Sequence, residues 1–128
     1  MTTKKAMRPR DVANLISECI AEGNINNILD FFHPDYLMSF PPTEPLKSGV
    51  DTIRASFQPF IDSKAELTSK VTGELINGDT AVLQANWSIV DRKGNTIGEG
   101  ASTEVLKQRK DGSWQYFIDC PLGLPLLE

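Results

Sequence analysis

Residues 66–90 read ELTSKVTGELINGDTAVLQANWSIV, and the fold turns on this stretch. Glu66, Thr68, Lys70, Thr72 and Glu74 alternate with Leu67, Val71 and Leu75. A period of two is the mark of a strand with one wet face. Asn77-Gly78 follows, a pair that tolerates the positive φ of a tight hairpin turn. From Thr80 to Val90 the alternation resumes, with Ala81, Leu83, Ala85, Trp87 and Ile89 set against Val82, Gln84, Asn86 and Ser88. Further on, Lys93-Gly94-Asn95 turns the chain into a strand over 96–107, and Lys110-Asp111-Gly112 turns it into a last strand over 113–119. There alternation puts Trp114, Tyr116 and Ile118 on one face and Gln115, Phe117 and Asp119 on the other. Pro121 ends it.

Upstream of Ser63 the period is helical. Val12, Leu15, Ile16, Cys19 and Ile20 share one face of a helix over 9–22, with Pro9 in its first turn and Gly23 at its stop. Asn24 caps a short second helix, in which Ile25, Ile28, Leu29 and Phe32 repeat the spacing until Pro34. Tyr36 to Phe40 reads as a short strand cut off by Pro41 and Pro42. Ser48 with Asp51 resembles a capping box. It opens a third helix carrying Val50, Ile53, Phe57, Phe60 and Ile61 on one face, with Pro59 expected to kink or shorten it. Helices first and hairpins second mean α+β, with three helices packed on one face of a strongly curved antiparallel sheet. A concave mouth between helices and sheet is where a small-molecule pocket forms.

Composition narrows the function. The 128 residues suit one domain, 1–128, and carry a net charge of −4. The one basic cluster, Lys4, Lys5, Arg8 and Arg10, lies at the N-terminus, where 1–8 is expected to be a flexible arm, so nucleic acid is not the expected partner. Neither a signal peptide nor a membrane span is visible, which leads to an expectation of a cytoplasmic protein. Cys19 and Cys120 are far apart and read as reduced core thiols. One histidine, His33, and two distant cysteines do not compose a zinc site, so no metal and no cofactor are expected.

Several stretches together resemble a known family. They are Ala21-Glu22-Gly23-Asn24, Ile28 to Asp35, Lys47-Ser48-Gly49 leading into Ile53 and Phe57, and Lys110 to Trp114 followed by Ile118-Asp119. Their order and spacing are similar to those of nuclear transport factor 2-like proteins, in particular the SnoaL-like, polyketide cyclase-like branch. The resemblance implies a cystatin-like cone with a pocket between sheet and helices, and a homodimer through the outer sheet face. It does not imply one activity, since the superfamily holds isomerases, cyclases, dehydratases and non-catalytic scaffolds. Ketosteroid isomerases of this superfamily carry a catalytic carboxylate at the end of the first strand. Phe40, beside Ser39, stands at that position here, so that activity is not expected.

Two carboxyls remain as candidates for acid–base work. Asp119, between Ile118 and Cys120, falls in the region where SnoaL-type cyclases use an aspartate. In an apolar pocket it would titrate high enough for proton transfer; the alternative is a solvent-facing or ion-paired carboxylate. Glu104 shares a face with Ser102, and with Gln84, Asn86, Ser88 and Asp119 it makes a polar patch. That patch is either pocket lining or outer surface, because alternation does not say which. The pocket is expected to be lined by Tyr36, Phe40, Phe57, Asn86 and Trp87. The functional expectation is a cofactor-independent enzyme, of isomerase, cyclase or lyase type, moving protons on a small apolar molecule. The alternative is a non-catalytic ligand-binding or assembly domain of the same fold.

Overall fold

A computed structural model describes residues 3–127. A short 3₁₀ turn, Pro9–Asp11, leads into α1 (Val12–Glu22), followed by α2 (Ile25–Asp30), β1 (Phe32–Met38) and α3 (Val50–Ser63). Four long strands complete the chain: β2 (Glu66–Asn77), β3 (Thr80–Val90), β4 (Thr96–Gln108) and β5 (Trp114–Cys120). The sheet order is β1-β5-β4-β3-β2. Its inner face packs on the helices around Val12, Ile16, Ile20, Ile28, Phe31, Ile53, Leu83 and Leu106.

The expectation of a purely antiparallel sheet needs one correction. β1 pairs with β5 in parallel, so the sheet is mixed. α3 and the three-strand meander supply the long crossover that a parallel pair needs. β1 also begins earlier than its apolar run suggested. α2 stops at Asp30, and the strand passes straight through His33-Pro34. Proline is tolerated because β1 is an edge strand and its pairing is interrupted between Phe32 and Leu37. The Ser48–Asp51 capping box is absent. Gly49 is the N-cap, with no side-chain cap bond, and Thr52 Oγ1 donates to the Ser48 carbonyl instead. α3 runs on past Pro59 to Ser63.

The N-terminal arm is docked where it is described. The Lys4 amide donates to Asn27 Oδ1, the Trp114 amide donates to the Ala6 carbonyl, and Ala6 is fully buried. Met1 and Thr2 lie outside the described residues. Among the described residues no helix is long and apolar enough to cross a membrane.

Two bulges reset which side chains face the helices. In β2, Val71 pairs with Ala85 but Gly73 pairs with Gln84, so Thr72 is an extra residue. Past it Leu75 pairs with Val82 on the outer face, not with Leu67 and Val71 inside. In β5, Tyr116 pairs with Leu106 but Ile118 pairs with Val105, so Phe117 is extra. Paired residues share a face. Asp119, opposite Glu104, therefore joins Tyr116 on the inner face, against the strict alternation that set it opposite.

The C-terminal segment is held by a glycine. Trp87 Nε1 donates to the Pro121 carbonyl at 2.7 Å, which lays Leu122 across β4. A Cβ on Gly100 would stand 2.5 Å from Leu122 Cδ2, 3.1 Å from the Trp87 ring and 3.2 Å from the Pro121 oxygen. The first of these is a flexible side-chain tip, but the other two leave little room. Gly100→Ala should therefore cost roughly 1–3 kcal/mol, as overpacking does. The measurement is urea unfolding, and an unchanged midpoint would show that the segment is loosely held.

Candidate functional site

The acidic candidates meet inside. On β4, Gly100, Ser102, Glu104 and Leu106 point to the inner face opposite Trp87, Ala85, Leu83 and Ala81. On β5 the bulge brings Asp119 beside Glu104 in the same layer. Glu104 is 8% exposed and Asp119 7%, so both are buried yet open to a thread of solvent. Ser102 Oγ lies 3.3 Å from Glu104 Oε2 and 3.4 Å from the Ala85 carbonyl, and so holds one end of the pair.

Aromatic rings close the site. Tyr36 and Tyr116 are buried on either side of Phe32, with ring centroids 5.1 and 5.4 Å from it. Phe57 of α3 leans on Phe32 at 6.0 Å. Tyr36 Oη donates to the Gly49 carbonyl at 2.6 Å, tying β1 to the start of α3. The connection after β1 is pinned beside the acid. The Met38 and Lys47 backbones exchange two 2.8 Å bonds, and the Ser39 amide donates to the Asp119 carbonyl. Ser39 Oγ is fully enclosed and has no partner.

Titration follows from this packing. Burial pushes the Asp119 carboxyl up to about 7. Burial, then the neighbouring Asp119 charge, push Glu104 up to about 8, with the Ser102 hydroxyl acting in the other direction. One carboxyl of the pair ionises first, and its charge keeps the proton on the other. Burial, then the two carboxyl charges, raise the Tyr116 phenol well above its usual value. Burial also raises Tyr36, against the Thr52 hydrogen bond and with the charge of Asp119. The arrangement puts a proton donor beside a proton acceptor at neutral pH, which is what paired acid–base chemistry needs.

Of the expected pocket residues, Tyr36 and Phe57 lie at this site and Trp87 is on the same inner face. Phe40 is displaced into the connection after β1 and is 38% exposed. Asn86 is a correction. It pairs with Ala101, both are exposed, and it points outward with Gln84, away from Glu104. The single polar patch is thus divided, Ser102, Glu104 and Asp119 inside, Gln84 and Asn86 outside. Alternation alone set Tyr116 opposite Asp119; the bulge brings the carboxyl round to the face of Tyr116. His33 stacks edge-on against Phe117 outside the site. It borders a surface cleft of about 960 Å³ that also holds Asp30 and Arg109, already ion-paired to each other at 3.2 Å. Among the described residues no cluster of three metal-ligating side chains occurs. Cys19 and Cys120 are buried free thiols.

Helices on one face of a curved mixed sheet define an α+β protein of cystatin-like architecture. The chain belongs to the SnoaL-like domain family, whose profile matches residues 12–116. Solved structures share the fold. A protein of unknown function from Nostoc punctiforme, with a cystatin-like fold, is 19% identical, covers 92% of each chain and has a TM-score of 0.71. A nuclear transport factor 2-like protein from Novosphingobium aromaticivorans is 11% identical over 90% of this chain and 78% of its own, with a TM-score of 0.72. A putative calcium/calmodulin-dependent protein kinase II association domain from Xanthomonas campestris is 22% identical over 99% of both chains, with a TM-score of 0.60. No curated protein matches the sequence.

The acid pair sets a sign for pH-dependent stability. Both carboxyls bind protons more tightly folded than unfolded, so their contribution is complete below about pH 4, the unfolded value, and is lost as pH rises through about 7 and 8. A tenfold change in proton affinity is about 1.4 kcal/mol, so the loss amounts to several kcal/mol. The melting temperature should fall between pH 5 and 9, and Glu104→Gln or Asp119→Asn should flatten the fall. Equal slopes in wild type and both variants would mean that other groups set the dependence.

Proposed function

We propose that this is a cofactor-independent acid–base enzyme, of isomerase, cyclase or lyase type, acting on a small molecule with an apolar body in the space between helices and sheet. The observation that carries the reading is the facing pair, Glu104 and Asp119, buried together on adjacent strands. In this reading Asp119, ionised, takes a proton from a carbon acid. Glu104, still protonated, supplies one to the oxygen or leaving group that gathers charge. Phe40 in place of a strand-end carboxylate argues against ketosteroid isomerase chemistry. The expected location is the cytoplasm, with neither nucleic acid nor membrane as partner.

Proton transfer can be tested before the substrate is known. In deuterated water the protein should speed exchange of the α-protons of an apolar ketone such as 2-tetralone, followed by proton NMR. Asp119→Asn should fold and lose about 10²–10⁴-fold of that rate, the usual worth of a positioned base. Wild-type exchange no faster than the variant's would turn the assignment to the second reading, a non-catalytic binding or assembly domain.

A specific feature favours assembly as well, and it is compatible with catalysis. One row of apolar residues crosses the outer face of all five strands in register: Leu75, Val82, Val105, Ile118 and Leu37. Leu75 is 68% exposed and Val82 39%. A stripe of this kind fits a second copy of the chain in an isologous homodimer. The likeness to a protein described as an association domain supports the same reading. Val82→Lys should convert the dimer to a monomer in light scattering without unfolding it. A wild type that is monomeric at tens of micromolar would overturn the dimer.

A further inference from the structure

We propose that the interior site is built for an organic cation: an apolar molecule bearing an ammonium group, seated between the Glu104 and Asp119 carboxyls and the Tyr36–Phe32–Tyr116 aromatic cluster. The proposal rests on the reading that the helix-facing side of the sheet is the ligand site. It names the charge of what binds there.

The first observation is an imbalance of charge. Glu104 and Asp119 sit together with no cation beside them. Among the described residues no Lys, Arg or His side chain is among the groups acting on either carboxyl. The chain has thirteen Lys and Arg. Those in ion pairs lie elsewhere: Lys4 with Glu18 and Glu22, Lys5 with Asp111, Arg8 with Asp11, Arg10 with Glu74, Lys47 with Glu44, and Arg109 with Asp30. Glu74 is the informative contrast. It pairs with Leu83 as Glu104 does, and so shares that face, yet it holds Arg10 at 2.6 Å. Buried charges are ordinarily paired. Where the protein keeps a carboxylate on this face elsewhere, it supplies the cation. At the Glu104–Asp119 pair it does not.

The second observation is independent of charge. The Tyr116 hydroxyl and the Asp119 carboxyl make no hydrogen bond to another described residue, although Tyr116 is 5% exposed and Asp119 7%. Among the described residues only Ser39 Oγ is fully enclosed without a partner, so the Tyr116 and Asp119 oxygens are still reached from solvent and are free to meet a ligand donor. An ammonium group has up to three N–H donors and no acceptor. It gives the two carboxyls the donors they lack, and the phenol can turn its oxygen toward it as an acceptor. The rings of Tyr36 and Tyr116 stand 5.1 and 5.4 Å from that of Phe32 in edge-on and tilted pairs, an aromatic cluster on which a cation can rest. An anionic ligand would meet two acids with no counter-charge. A neutral one would gain hydrogen bonds but leave the charge imbalance as it is.

Cation binding must also expel protons. The pair holds protons at neutral pH because ionising both in a buried site is costly, and a bound positive charge removes that cost. The measurement is isothermal titration calorimetry with phenethylamine, 2-phenylethanol and phenylacetate, which present one apolar body as cation, neutral molecule and anion. Runs at pH 7 in phosphate and in Tris count the protons exchanged. The amine should bind at least about tenfold more tightly than the alcohol, with the carboxylate weakest, as electrostatic complementarity requires. Each amine bound should release about one proton, and its affinity should rise from pH 6 to pH 8. Asp119→Asn and Glu104→Gln should each bring amine and alcohol within about threefold of one another. Equal or tighter binding of the alcohol or the carboxylate, no proton release, or no saturable amine binding at millimolar concentration would each overturn the proposal. The wild-type ratio decides the matter even if a variant does not fold. Amine binding without ketone exchange would remove the catalytic reading and leave this one standing; exchange with rejection of the amine would do the reverse.

Discussion

The extra residue in β5 is the constraint on which the rest of the site depends. Phe117 has no partner in the ladder, so the strand passes Val105 and Leu106 out of step, and every side chain beyond it changes face. Without that step Asp119 would stand on the outer surface beside Thr103 and Val105, solvated and ordinary. With it, Asp119 lies opposite Glu104 under the helices, next to the ring of Tyr116. Neighbouring bonds hold the step in place. The Asp119 carbonyl accepts from the Ser39 amide, and Trp87 fixes the Pro121 carbonyl two residues on. The acid is thus gripped by backbone contacts on both sides, and its carboxyl is left without a partner.

The β2 bulge acts in the opposite sense. Thr72 throws Leu75 out of the core and into a row with Val82, Val105, Ile118 and Leu37. The two bulges exchange residues against the usual logic of burial: one exposes a leucine, the other encloses an acid. Each exchange costs stability in a monomer. The core that offsets it is ample, with Phe31, Ile28, Leu106, Val12 and Cys19 all nearly or fully enclosed. Costs of this kind persist where they serve a site or an interface.

Much of the fold was legible in the sequence, and for physical reasons. Periods of 3.6 and 2 follow from helix and strand geometry, and Gly78, Gly94 and Gly112 take the positive φ that their turns demand. β1 was misplaced because its partner is the last strand of the chain. A parallel edge pairing formed over some eighty residues leaves no local pattern, and Pro34 argued against it. The site was legible as a list of residue types but not as a geometry. Glu104 was ambiguous because alternation fixes two faces without saying which one the helices cover. Asp119 was grouped with Glu104 but set opposite Tyr116, because one unpaired residue reverses everything after it, and Phe117 looks like any other strand residue. Asn86 was drawn into the pocket by the same ambiguity, its polar neighbours on β3 being mistaken for companions of Glu104.

The geometry also sets the end of β1 apart from the two carboxyls inside the sheet. A carboxylate at the end of β1 would extend from a short edge strand whose pairing is already interrupted. Phe40 there lies beyond Met38, partly in solvent, and serves no acid–base purpose. Asp119 and Glu104 instead stand on β5 and β4, paired strand to strand in the interior of the sheet. Rigid elements hold reacting groups to a closer tolerance than loops do. The pair also tunes itself: the first carboxyl to lose its proton raises the proton affinity of the second, so donor and acceptor are created together by one ionisation. A carboxylate at the strand end could offer that only with a partner, and the adjoining Ser39 hydroxyl, enclosed and without a hydrogen bond, is not one. One and two strands in from that edge, Asp119 and Glu104 form a buried, mutually adjusted pair instead.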